Sequence, residues 1–152
     1  MNNSLVFSKL RPEDAKELSL LDKECFSTPW SERMFYADAN NPSAYYVLAR
    51  IGGELVGYCG IYMVLDEGQI TNIAVLKNYR GQKIASKILE KIIDFARENN
   101  LFKITLEVRE SNAAAIGLYE KFRFKKGWIQ KRLLSQSARD CGFNGLTTLT
   151  SL

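Results

Sequence analysis

The sequence predicts an α/β fold, with a mixed and mostly antiparallel central sheet flanked by helices. Three observations carry this. Two apolar runs, 44–50 and 55–64, flank Gly52-Gly53 at the spacing of a hairpin. After a turn at 77–81, Ile84, Ala85, Ile88, Leu89, Ile92, Phe95 and Ala96 recur at helical spacing. Phe102, Ile104, Leu106 and Val108 then alternate with Lys103, Thr105, Glu107 and Arg109, which is the period of a strand. A strand, a helix and a strand in that order make a crossover unit, so 69–76 and 102–109 are expected to run roughly parallel under the helix.

The remaining elements follow in chain order. Residues 5–10 have the pattern of a first strand. Pro12 suits a first helical turn, and Glu13 and Asp14 favour its positive end, so a helix is expected from there to about Cys25, with Ala15, Leu18 and Leu21 on one face. Ser27-Thr28-Pro29-Trp30 breaks that pattern, and Ser31 can cap a second helix through about Ala39. A turn is expected at Asp66-Glu67-Gly68, so the strands over 44–76 form a meander. Ser111 can cap a last helix whose apolar side is Ala114, Ala115, Leu118, Tyr119 and Phe122.

Composition narrows the chemistry. The 152 residues, 46% hydrophobic and 25% charged, fit one globular domain over 1–152. The opening MNNSLVFSKL lacks the charged head and long apolar run of a secretory signal, and no membrane-spanning run is seen, so a cytoplasmic location is expected. Cys25, Cys59 and Cys141 are odd in number and without a CxxC pair, so neither a disulfide framework nor a metal site is expected. Histidine is absent, which leaves acid–base work to Glu, Asp, Tyr or water. The net charge of +4 suits an anionic cofactor, and no basic stripe interleaved with aromatics points to nucleic acid.

The turn Tyr79-Arg80-Gly81-Gln82-Lys83-Ile84-Ala85-Ser86 leads directly into the strongest helix. A helix N-terminus offers unpaired N–H groups and partial positive charge, to which Arg80 and Lys83 add, so the turn has the makings of a phosphate site. On spacing alone it is equally a strand-to-helix turn with solvated basic residues. Glu107 has the same two readings, as a catalytic carboxylate or as part of a strand's polar face. Tyr119 is either a functional phenol or a core aromatic, and Trp30 either lines a groove or fastens the second helix to the core. Tyr45, Tyr46, Tyr58 and Tyr62 are expected mainly to pack the sheet.

The segment ITNIAVLKNYRGQKIASKIL resembles the acetyl-CoA motif of the GNAT acetyltransferases, an Arg or Gln, two residues, a Gly, one residue, then Gly or Ala. Arg80 and Ala85 match, while Lys83 stands in place of the central glycine. LEVRESNAAAIGLYEKFRF is similar to the bacterial ribosomal-protein N-terminal alanine acetyltransferases of the RimI type, and with CFSTPWSE the resemblance covers about residues 5–126. It implies acetyl-CoA as co-substrate at the splay between two parallel central strands. The pantetheine arm would lie along Ile73, Ala74 and Val75, and the pyrophosphate on the amides from Gly81 through Gln82, Lys83, Ile84 and Ala85 to Ser86, beside Arg80. It further implies Glu107 as general base, Tyr119 as general acid, Asn112 as a cofactor-contacting amide and Trp30 as a candidate in the acceptor groove. The acceptor would be a peptide or protein N-terminus, such as that of a ribosomal protein; a small-molecule or lysine amine, or CoA binding with little turnover, are the alternatives.

The resemblance stops at Lys126, leaving 127–152 atypical, and Arg123 replaces the usual glycine of the preceding turn. Permissible codons for the tail, read one base later, give paired tyrosines and a final apolar strand of the kind the family carries. The expectation is a frameshift, which would leave a malformed sheet edge or a swapped or oligomeric protein, and which the nucleotide sequence of the gene tests.

Overall fold

The computed structural model describes residues 4–109, 111–126 and 146–151. Seven strands form one sheet in the order β1-β2-β3-β4-β5-β7-β6. These are β1 (Leu5–Lys9), β2 (Ala44–Ile51), β3 (Glu54–Val64), β4 (Glu67–Val75), β5 (Lys103–Arg109), β6 (Lys125–Lys126) and β7 (Leu146–Ser151). Among the described strands only β4 and β5 pair in parallel; the other neighbours are antiparallel. The helices are α1 (Ala15–Cys25), α2 (Glu32–Ala39), α3 (Ile84–Glu98) and α4 (Ala113–Lys121).

Local chemistry explains most boundaries. Gly52 and Gly53 both take positive φ, 58° and 83°, as a two-residue hairpin requires. The expected first helix begins instead with a 3-10 turn over Pro12–Asp14, where Asp14 accepts from the Arg11 backbone N–H at 2.9 Å, and α1 follows. Ser31 caps α2 by accepting from the Met34 N–H at 3.3 Å.

Two local expectations are corrected. The β3–β4 turn is Leu65-Asp66, with Leu65 at φ 57° and its side chain exposed. Gly68 lies inside β4, where an added Cβ would come within 2.6 Å of Ile61 Cδ1, so this glycine serves close packing rather than turning. The last helix is capped by Asn112, not Ser111: Asn112 Oδ1 accepts from the Ala115 N–H at 3.2 Å.

The sheet separates two cores. On one face Ile84, Ile88, Leu89 and Ile92 of α3 pack against Val47, Cys59, Ile61, Ile70 and Leu106, joined by Tyr119 of α4 and Phe124. On the other face Leu18, Leu21 and Phe35 of α1 and α2 pack on Tyr46, Leu48, Tyr58 and Ala74. Tyr45 stacks on Phe95 on the α3 face, with ring centroids 3.6 Å apart.

β7 pairs with β5 from Ile104↔Ser151 to Arg109↔Leu146, so the far side of β5 carries a partner strand. The rest of the atypical tail, and with it the frameshift expectation and Cys141, falls outside the described residues. No described helix is long and apolar enough to cross a membrane.

Candidate active site

The parallel pairing of β4 with β5 is short. It runs from Glu67↔Lys103 to Ile70↔Leu106 and stops there, although both strands continue. The cause is a bulge: Gly60 of β3 partners Asn72 and Ile61 partners Ile70, so Thr71 is an extra residue in β4. Beyond it the strands separate, and the edge of β4 over 71–75 faces a gap.

Strand alternation shows which groups line that gap. The Leu76 N–H donates to Val56 O on the β3 side at 2.9 Å. Backbone groups alternate along a strand, so those of Val75 and Ile73 point away from β3 while those of Ala74 point toward it. An extended amide-bearing ligand can therefore pair with Ile73 and Val75 as an added strand does. The Val75 carbonyl already accepts from Arg80 Nε at 3.0 Å and from the Cys25 thiol at 3.8 Å, which fixes the base of the next turn.

That turn ends in the N-terminus of α3. Gly81 has φ 81° with nothing within 4 Å of an added Cβ, so glycine is needed there for conformation rather than space. Lys83 is the N-cap of α3 at φ 62° and ψ 20°, a left-handed position that its side chain makes costly, by roughly 1–2 kcal/mol. A glycine, which the family's motif has at this place, would adopt this backbone without that cost. The first N–H to bond within the helix is that of Lys87, to Lys83 O at 3.1 Å, which leaves the Ile84, Ala85 and Ser86 N–H groups at the end of the helix for an anion. Ile84 itself is buried and anchors the turn to the core. The gap and the anion site share one end of the sheet, as a ligand with an extended arm and a diphosphate requires.

Glu107 and Tyr119 sit on opposite faces of β5. Leu106 and Val108 belong to the α3-side core, so Glu107 between them faces the α1/α2 side and is exposed. Tyr119 is buried on the α3 side, its ring 5.7 Å from that of Phe124, and burial first, then the nearby Cys59, hold its hydroxyl in the protonated form well above the ordinary phenol range. Asn112 starts α4 just past the end of β5; its carbonyl oxygen is committed to the cap, leaving its amide donors for a ligand.

Trp30 is half-buried and packs on Phe35 with centroids 5.5 Å apart. It precedes the Ser31 cap and Phe35 is the fourth residue of the helix, which is the arrangement of a hydrophobic staple. Its backbone N–H also donates to Asp22 at 2.8 Å, so Trp30 fastens α2 to α1. Neither described cysteine is a ready nucleophile: burial pushes both thiols up, Cys59 being fully enclosed. Among the described residues no group of three or more His, Cys, Asp or Glu could hold a metal ion.

A model of the acetyltransferase (GNAT) family matches residues 15–124. The chain belongs to this family. It is 35% identical over 141 residues, 92% of this chain and 93% of the other, to a Bacillus subtilis protein that carries the provisional name of ribosomal protein bS18-alanine N-acetyltransferase. It is 32% identical over 126 residues, 83% of this chain and 84% of the other, to the ribosomal protein bS18-alanine N-acetyltransferase of Escherichia coli K12. Among solved structures, Arabidopsis thaliana NAA60 in complex with acetyl-CoA shares the fold, with a TM-score of 0.77 and 17% identity over 97% of this chain and 96% of that one. The chain is thus an acetyl-CoA-dependent N-acetyltransferase, with the mixed GNAT sheet.

The residues that sequence reasoning did not single out are Asp22, Asp38 and Thr71. Each bears an ordinary side chain in an ordinary pattern, and only its partners across the fold give it a role.

Proposed function

We propose that the protein acetylates the N-terminal α-amino group of a ribosomal protein, of the bS18-alanine type, by direct attack on the thioester within a ternary complex. The observation that supports the reaction best is that the β4–β5 pairing ends at Ile70↔Leu106, which leaves the Thr71–Val75 edge of β4 unpaired on the β5 side, beside the amides at the start of α3. Relatives named for this acceptor align over most of both chains, which supports the choice of acceptor.

In this reading acetyl-CoA supplies the activated acyl group, held along Ile73, Ala74 and Val75 with its diphosphate at Gly81 to Ser86. Arg80 and Lys83 add charge beside that diphosphate, and Gln82 and Asn112 contribute polar contacts. The acceptor amine enters from the α1/α2 face. Glu107, directly or through one water, takes the proton that an ammonium must lose before it attacks. The nitrogen–carbon bond forms as the carbon–sulfur bond breaks; the departing sulfur, on the α3 face, takes a proton from the Tyr119 hydroxyl, and the second proton of the nitrogen leaves to water as the amide forms, solvent then returning a proton to Tyr119 and removing the one held by Glu107. Base and acid stand on opposite sides of the acyl carbon, and no acyl-enzyme is needed. Trp30 borders the acceptor entrance from the start of α2.

Peptides bearing the mature N-terminus of bS18, incubated with the protein and acetyl-CoA and read by mass spectrometry, test the acceptor. Acetylation at the α-amine and not at a lysine is expected. Turnover of small amines or lysine side chains with none of the peptide would reject this acceptor.

A further inference from the structure

Asp22 of α1 is 1% exposed and holds three groups at once. Its carboxylate accepts from Tyr58 Oη of β3 at 2.6 Å through Oδ1 and from the Trp30 N–H at 2.8 Å through Oδ2. Its main-chain carbonyl accepts from the Phe26 N–H at 2.9 Å. Phe26 and Trp30 stand near the two ends of the α1–α2 loop, residues 26–31, and both are half-buried, whereas Ser27, Thr28 and Pro29 between them are exposed. One residue thus grips a short loop at both ends and ties it to the sheet. Burying a carboxylate is costly, and its hydrogen bonds offset only part of that cost. The helices themselves have other holds on the sheet: Leu18, Leu21 and Phe35 are buried against it, and Asp38 of α2 accepts from Tyr46 Oη at 2.5 Å and from Tyr62 Oη at 2.6 Å. What Asp22 adds is a fixed shape for the loop between them.

The place of that loop gives the grip a purpose. Tyr58 is the β3 partner of Ala74 on β4, and both belong to the core on the α1/α2 face. Three residues after Asp22, the Cys25 thiol reaches the Val75 carbonyl at 3.8 Å. Val75 lies on the edge of β4 that has no β5 partner beyond Ile70↔Leu106. The chain therefore leaves α1 at that edge, and Ser27-Thr28-Pro29 follow within four residues of the contact. Cys25, Phe26 and Trp30 all pack against the α1/α2-side core, so the loop stays on the face to which Glu107 is exposed.

We infer that Asp22 is a positioning residue for the acceptor: by gripping Phe26 and Trp30 and bonding to Tyr58, it holds the tip Ser27-Thr28-Pro29 beside the unpaired edge of β4, as one wall of the path that the amine takes to the thioester. The inference rests on the proposed N-acetyl transfer at this edge but not on which amine is the acceptor. Asp22 itself touches no reacting atom. The Ser27 and Thr28 hydroxyls and the main chain of the tip offer donors and acceptors to the part of the acceptor behind its amine. A tip fixed in advance does not have to be ordered when the acceptor binds, so the grip acts on acceptor affinity rather than on the chemical step.

Three substitutions test this. Asp22→Asn leaves an amide that cannot accept through both arms, Tyr58→Phe removes one hydroxyl from the grip, and Pro29→Gly loosens the tip at an exposed position. Rates are measured at matched folded fraction with whichever amine the wild-type protein acetylates fastest, so a wrong acceptor shows in the wild type and leaves the comparison readable. Asp22→Asn is expected to raise the acceptor KM about tenfold, and Tyr58→Phe and Pro29→Gly about threefold, with kcat and the Kd for acetyl-CoA changed less than about twofold. An unchanged acceptor KM in Tyr58→Phe and Pro29→Gly would overturn the positioning role, even where Asp22→Asn does not fold. So would a rise in the Kd for acetyl-CoA as large as that in KM, which would assign the grip to Val75 and the co-substrate. A wild type that acetylates no amine would reject the transfer reading, and this inference with it.

Discussion

At the scale of single residues, Lys83 is the most exposed to test. Its left-handed backbone at φ 62° suits glycine, and its exposed side chain makes no cap hydrogen bond. Lys83→Gly should therefore stabilise the fold, by about 0.5–1 kcal/mol once the extra freedom of glycine in the unfolded chain is deducted. Urea denaturation measures this; a loss of stability would mean that the lysine side chain contributes more than its backbone costs. Tyr119 poses the opposite case, since its core position and its proposed chemistry coincide. Tyr119→Phe keeps the buried ring and removes only the hydroxyl, so kcat should fall about tenfold or more while the Kd for acetyl-CoA changes little. Turnover equal to wild type would assign Tyr119 to packing alone.

At the scale of elements, the strands and helices with strong local signals were legible. Gly52-Gly53 turned the hairpin, Ser31 capped α2, and the apolar spacing from Ile84 to Ala96 is the buried face of α3. What misled was turn and cap chemistry with two candidates side by side. Asp66-Glu67-Gly68 looks like a turn because Gly68 looks free to bend, yet Ile61 needs its missing side chain, and the bend falls on Leu65. Ser111 and Asn112 are both good caps, and the choice of Asn112 depends on where β5 releases the chain. The bulge at Thr71 had no reading in the sequence at all, because it exists only as a mismatch between two strands. Since the β4–β5 pairing ends at that bulge, the feature that shapes the candidate site was the least visible one.

At the scale of the whole molecule, the carboxylates that tie the layers together govern its response to acid. Asp14 is buried; burial alone pushes its carboxyl up, but Arg11, through side chain and backbone N–H, and Arg50 of β2 at 3.1 Å outweigh this and hold it below the usual carboxylate range. A carboxyl whose folded value is depressed stabilises the protein above its unfolded value of about 3.9, and that contribution fades as the pH falls through the folded value. Asp14→Asn should thus cost about 1–3 kcal/mol at neutral pH, with the deficit shrinking below about pH 4. Urea midpoints of the two proteins at neutral and acid pH check this; a difference independent of pH would mean that the charge of Asp14 is not what holds β2 to the start of α1.

The sequence by itself determined the fold class, the parallel pair around α3, the basic turn before it and, through resemblance, acetyl-CoA as co-substrate, with Glu107 and Tyr119 as the residues proposed for the chemistry. These are carried by local periodicity, by glycine and cap residues, and by contiguous motifs, all of which act within a few residues along the chain. Only the tertiary structure decided that Lys83 is left-handed, that Trp30 staples α2, that Glu107 and Tyr119 occupy opposite faces, and that Asp38 accepts from both Tyr46 and Tyr62. Those facts depend on strand register and on contacts between residues up to tens of positions apart, which no local pattern encodes because the physical forces concerned act only once the chain has folded.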